Sequence, residues 1–139
     1  MADIPTLLKR QDEAWKRRDP VALAAGYAED AVVRSPMFPR AEGRSAIEQS
    51  FVSLFRIFPD WEVTLEEPCL NGNRAMQAGK VRATQKGEFM GIQGLGKRIE
   101  FDCVLIFDVQ NGLITRERRI YDFTGMLIQL GVLRGKPAV

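Results

Sequence analysis

The stretch Ile99-Glu100-Phe101-Asp102-Cys103-Val104-Leu105-Ile106-Phe107-Asp108-Val109-Gln110-Asn111-Gly112-Leu113-Ile114-Thr115-Arg116-Glu117-Arg118-Arg119-Ile120-Tyr121-Asp122 decides the fold. Its first half alternates apolar and polar residues, the period of a half-buried strand. Asn111-Gly112 is the strongest short hairpin signal, because both central residues of a type I′ turn need positive φ. A two-residue loop pairs Val109 with Ile114, Phe107 with Arg116, Leu105 with Arg118, Cys103 with Ile120 and Phe101 with Asp122. In that register one face collects Ile99, Phe101, Cys103, Leu105, Phe107 and Val109 with Ile114, Ile120 and Asp122. The other face collects Glu100, Asp102 and Asp108 with Glu117, Arg119 and Tyr121. Asp122 is therefore expected on the apolar side, where a desolvated carboxyl has the properties of a general acid or base.

Upstream lies a second hairpin. Trp61, Val63, Leu65 and Cys69 alternate with polar residues, and Asn71-Gly72-Asn73 reads as a turn. A three-residue loop pairs Cys69 with Ala75, Leu65 with Gly79, Val63 with Val81 and Trp61 with Ala83, and it puts Glu67, Gln77 and Gln85 on the same face. Before these strands the period is helical. Asp3 with Pro5, and Asp19 with Pro20, are cap-and-start signals for two helices. A brief strand, Ala31-Val32-Val33-Arg34, runs into the Pro-rich turn Ser35–Pro39. Ser45 with Glu48 reads as a capping box for a third helix whose stripe is Ile47, Phe51, Leu54 and Phe55. Helices first and long antiparallel strands after them predict an α+β domain spanning residues 1–139, with the helices on one sheet face.

Composition narrows the function. A chain of 139 residues with 45% apolar and 27% charged residues buries an ordinary soluble core. A net charge of +2 gives no reason to expect nucleic acid or an acidic membrane surface, and no apolar run reaches the roughly 20 residues of a membrane span. The N-terminus enters an amphipathic helix without a signal-peptide core, so a cytoplasmic protein is expected. With no histidine and two well-separated cysteines, Cys69 and Cys103, no zinc site is expected, and both thiols are expected to be buried packing residues. Proton chemistry near neutrality must then rest on carboxylates.

Asp122 is the candidate catalytic residue, and it also has a structural alternative as N-cap of the segment Phe123–Gly131. Arg118 shares its expected face and could hold a substrate oxygen, or else lie solvated with Arg116 beyond the helices. Trp61 and Tyr27 could line a pocket and present a polar tip to a ligand, although aromatics at these spacings are also plain core. Phe101 neighbours Asp122 in the expected register, and Phe89 opens an apolar, glycine-rich loop that could form a pocket lip.

Five segments in order carry a family resemblance: Tyr27-Ala28-Glu29-Asp30-Ala31-Val32, Gly43-Arg44-Ser45-Ala46-Ile47, Phe58-Pro59-Asp60-Trp61, Gly87–Ile92 followed by Gly96–Phe101, and Tyr121–Gly131. Together they resemble the SnoaL-like polyketide cyclases. The resemblance implies the nuclear-transport-factor-like fold, a curved, mostly antiparallel sheet around a cone-shaped pocket closed by helices. Ketosteroid isomerase and limonene epoxide hydrolase share that fold. It also implies a homodimer through the outer sheet face, a hydrophobic small-molecule ligand and no cofactor, with the aspartate matching Asp122 as base for an aldol ring closure. The cyclases use a pocket histidine as well, and here the chain departs from their pattern. The expected function is a cyclase or isomerase removing a proton next to a carbonyl. The alternatives are a non-catalytic dimeric binding protein for a hydrophobic molecule, or an epoxide-hydrolase-like hydrolase.

Overall fold

The computed structural model describes residues 3–134. Helix α1 (Ile4–Arg17) begins where the Asp3 carboxylate accepts from Thr6 N at 2.8 Å, and α2 (Pro20–Ala24) where Asp19 does the same for Ala22 N at 3.0 Å. Strand β1 (Tyr27–Arg34) and the short β2 (Ala41–Glu42) lead to α3 (Arg44–Ile57). The expected capping box is not formed: Gly43, at φ 89°, is the N-cap of α3 and no side chain caps it. Strands β3 (Glu62–Leu65), β4 (Cys69–Asn71), β5 (Arg74–Thr84), β6 (Arg98–Gln110) and β7 (Leu113–Tyr121) follow, and α4 (Phe123–Gln129) closes the described chain. The strands form one seven-stranded sheet in the order β2-β1-β7-β6-β5-β3, with β4 also on β5. Its pairs are antiparallel except for β1 beside β7.

One face of the sheet is buried under α1 and α3. Leu7, Leu8, Ala14 and Trp15 of α1, and Ile47, Phe51 and Leu54 of α3, join Ala75, Val81, Ile99, Leu105 and Phe107 of the strands in one continuous core. Burying a side chain of this size contributes about 1.5–3 kcal/mol each.

Both hairpins depart from the expected register by one residue. In the first, Val63 does pair with Val81 and Leu65 with Gly79, but past Pro68 the pairing becomes Cys69 with Met76 and Leu70 with Ala75. Proline cannot donate to a ladder, so the strand breaks there and resumes in the opposite phase. Cys69 and Glu67 are consequently exposed, whereas Cys103, Gln77 and Gln85 are buried.

In the second hairpin Asn111 and Gly112 adopt φ values of 53° and 75°, and Val109 pairs with Ile114 as the turn requires. The next pair is Asp108 with Arg116, so Thr115 is an extra residue, a β-bulge whose hydroxyl donates to Asp108 O at 3.1 Å. Beyond it Phe107 pairs with Glu117, Leu105 with Arg119 and Cys103 with Tyr121. Every later side chain of β7 thereby changes face. Strand β7 ends at Tyr121, while β6 extends back to Arg98. There the Gln129 amide serves as the missing partner: its Oε1 accepts from Glu100 N at 2.7 Å and its Nε2 donates to Glu100 O at 3.0 Å.

Candidate functional site

Between α1, α3, the Ser35–Pro39 turn and the inner sheet face lies a cavity of about 440 Å3 including its open mouth, of which about 30 Å3 admits the centre of a water molecule. Its walls are aromatic and aliphatic: Trp15, Phe38, Trp61, Val81, Phe101 and Leu105 are among them. Trp61 meets Phe101 edge-on at 6.2 Å, and Phe101 stacks on Tyr121 at 4.8 Å. The polar groups come from the strand that the bulge reverses, since Arg119 and Tyr121 both line the cavity.

Arg119 is held from three sides. Its Nε donates to Glu117 Oε2 at 2.5 Å, and its guanidinium lies 5.7 Å from the ring of Trp15 and 5.2 Å from that of Phe51. Glu117 is fully buried, and its other oxygen accepts the hydroxyl of Tyr27. Burial opposes the charge on Arg119, but the Glu117 carboxylate outweighs it and holds the guanidinium protonated. Burial, reinforced by the Glu117 charge, pushes the Tyr27 hydroxyl well above its ordinary range, so Tyr27 is a neutral donor. This Tyr27–Glu117–Arg119 relay places a fixed cation at the cavity wall.

Two N–H groups there have no partner among the described residues, Arg119 Nη2 and Trp61 Nε1. A buried donor left unpaired costs about 1–3 kcal/mol. Tyr121 accepts from Met37 N at 3.1 Å, which ties the Ser35–Pro39 turn to β7. The Cys103 thiol also lines the cavity, and burial pushes its pKa up to about 11, so it is neither a nucleophile nor a charge near neutrality. No carboxylate is among the cavity-lining residues, and no group of three His, Cys, Asp or Glu among the described residues is placed to hold a metal ion.

The structure separates the residues that the sequence grouped. Trp61 and Phe101 line the cavity. Tyr27 is buried behind it, bound to Glu117, and Phe89 packs on Phe58 in the core at 6.3 Å. Asp122 and Arg118 need correction, because the Thr115 bulge turns both outward. Asp122 is exposed and caps α4, accepting from Gly125 N at 2.8 Å. Arg118 is exposed on the outer sheet face. Sequence reasoning missed Glu117, Arg119 and Tyr121, for which the signal was charge balance. In their phase an acid and an arginine sit together on the buried face, whereas the other phase buries two arginines apart from an acid.

A family model described as SnoaL-like polyketide cyclase matches residues 6–130. The chain belongs to that family. Solved structures similar to this SnoaL-like chain include IdmH from Streptomyces antibioticus, described as a candidate polyketide cyclase, at 25% identity and TM-score 0.74 over 90% of this chain and 96% of that one. A candidate polyketide cyclase from Xanthomonas campestris pv. campestris is 26% identical, with TM-score 0.75 over 89% and 93% of the two chains. A protein with a ketosteroid isomerase-like fold from Catenulispora acidiphila is 17% identical, with TM-score 0.78 over 93% and 95%. Among curated proteins none matches the sequence. The fold is thus the open, curved-sheet α+β architecture of these proteins, and the family supports small-molecule chemistry of the cyclase or isomerase kind. Among the described residues no helix is long and apolar enough to cross a membrane.

Proposed function

We propose that the cavity binds a hydrophobic small molecule by one oxygen, and that the protein acts on it as a cyclase or isomerase by holding the negative charge that develops there. The observation that carries this is the pair of unpartnered donors, Arg119 Nη2 and Trp61 Nε1, on a wall that is mostly aromatic and aliphatic. A carbonyl that becomes an enolate between them gains most when its charge is greatest, which is how fixed donors in a dry site lower a barrier. The aromatic walls orient the reacting carbons. With no carboxylate on the wall, the chain binds, orients and stabilises charge, and the proton lost beside the carbonyl passes to solvent or to another group of the substrate. Asp122 has no part in this reading. A ligand larger than one or two waters displaces the Ser35–Pro39 turn, which contributes Ser35, Met37 and Phe38 to the wall.

A non-catalytic binding protein is the second reading, and the missing wall carboxylate favours it. The same lack weighs against a hydrolase, which needs an acid to activate water. Family resemblance extends either reading to a homodimer through the outer sheet face, where Met76 and Ile120 are exposed.

Both tryptophans of the chain line the cavity, so their fluorescence reports on its occupant. Benzoylacetone, an aromatic diketone whose enolate absorbs apart from its neutral form, is the probe. Titration is expected to quench the tryptophans and to raise the enolate fraction at fixed pH, and Arg119→Met is expected to remove most of that rise, about tenfold or more. Quenching without enolate enrichment selects the binding protein; no response in either signal ends both readings.

A further inference from the structure

The cavity is closed as it stands. Of its roughly 440 Å3, about 30 Å3 admits the centre of a water molecule, which is room for one or two waters and for no ring. A ligand enters only where a wall parts. Most of the wall is core: Trp15 and Trp61 are each 7% exposed, and Phe101, Cys103 and Leu105 are buried on the long strand β6. The Ser35–Pro39 turn is the exception. It contributes Ser35, Met37 and Phe38 to the wall, and of these Met37 and Phe38 are half-buried. Pro36 and Pro39 have no N–H to give to a ladder, and no backbone–backbone hydrogen bond involves residues 35–39 among the described residues.

The turn keeps its own shape. Ser35 Oγ accepts from Phe38 N at 3.0 Å and donates to Phe38 O at 3.3 Å, a local closure that does not depend on the sheet. Its tie to the sheet is Met37 N, which donates to the Tyr121 hydroxyl at 3.1 Å. Its second stem is the two-residue β2, the edge strand of the sheet. A segment with few backbone bonds and partial burial opens at a small fraction of the global stability. The alternative way in lies on the tryptophan side, where a groove between α1 and β3 shares Trp15, Trp61 and Val63 with the cavity wall. That side is held by Arg18 Nη1, which donates to Trp61 O at 2.9 Å, and by Trp15 edge-on to Phe51 and Phe55 at 5.2 and 6.1 Å. Parting it disrupts core packing, whereas lifting the turn breaks one hydrogen bond and uncovers two half-buried side chains.

We infer that the Ser35–Pro39 turn is a lid over the cavity, with the Tyr121 hydroxyl as its latch and Phe38 as the side chain that vacates the mouth. The lid rests on reading the cavity as a binding site, yet its test needs no ligand. Cys103 lines the cavity and Cys69 is exposed, so Cys69→Ser leaves one thiol, inside. Its reaction with dithiodipyridine, an aromatic disulfide that releases a coloured thiopyridone, reports each opening of the folded chain. The rate is expected to stay nearly flat in urea below the unfolding transition, because a local opening exposes little surface. In the same background Tyr121→Phe keeps the ring stacked on Phe101 and removes the latch, and is expected to speed labelling about two- to tenfold. Phe38→Ala is expected to speed it at least as much, and Arg18→Ala to leave it unchanged. A rate that climbs with urea in step with unfolding overturns the lid, as does a Tyr121→Phe variant that labels like the parent. Acceleration by Arg18→Ala instead moves the entrance to the groove between α1 and β3 and overturns it too. Benzoylacetone is expected to slow the labelling. If it neither slows labelling nor quenches the tryptophans while the variants behave as expected, the lid stands and the proposed ligand chemistry fails.

Discussion

Strand β7 carries two sets of charges that are adjacent in sequence and opposite in circumstance. Inward, Glu117 and Arg119 are sealed from solvent, joined to each other and buttressed by Tyr27 and two aromatic rings. Outward, Arg116 and Arg118 stand exposed beside Arg34 with no carboxylate of their own. The inner face tolerates charge only as a matched pair, because an uncompensated ion there loses its hydration with nothing in return. The outer face, screened by water and salt, tolerates three like charges together. The same four-residue run, Arg116-Glu117-Arg118-Arg119, supplies both, and the one bulged residue before it decides which set faces inward.

Deleting Thr115 and Arg116 together attacks the division itself. It would leave Glu117 opposite Asp108 in an unbroken register, send Arg118 and Asp122 into the core and expel Glu117 and Arg119. The expected result is loss of the cooperative unfolding transition, read by circular dichroism on heating; a variant that melts like the parent would show that the strand re-forms a bulge elsewhere. Glu117→Gln breaks only the inner pair. Leaving Arg119 buried without its counter-ion is expected to cost about 3–5 kcal/mol in urea denaturation. Glu100→Gln, which touches only exposed pairs on the outer face, is expected to be barely measurable. Comparable losses for the two would mean that the inner pair is hydrated in solution. Asp122→Ala falls between those two. Loss of the α4 cap is expected to cost about 1 kcal/mol, with the tryptophan response to benzoylacetone unchanged. A lost response would return Asp122 to the site.

Much of this architecture is legible in the chain. Asp3, Asp19 and the Asn111-Gly112 turn act through local hydrogen bonds and φ preferences, and each forms where its residues lie. The five ordered segments place the fold, and Trp61 and Phe101 reach the cavity because their strand phases survive. Asp122 and Arg118 do not, because a bulge carries no obligatory residue type: Thr115 resembles any strand threonine. Pro68 did announce the other slip, since it cannot take a ladder position. The choice of phase beyond Thr115 was decided by electrostatics across strands. Glu117 needed Arg119 two places on and Tyr27 ninety residues back, and only the folded sheet shows that they meet.

The bulge at Thr115 also bears on how function is carried from one relative to another. In a strand, inside and outside are a matter of parity, counted from the last fixed turn. A relative with the same number of residues between its hairpin turn and its last helix but no bulge will align column for column and still present the opposite set of side chains to its ligand. For such pairs an acid shared in an alignment is no evidence of a shared base. The safer bookmark is the count from the Asn111-Gly112 turn, corrected for each bulge. By that count two members of the family can inherit the same letters and different chemistry.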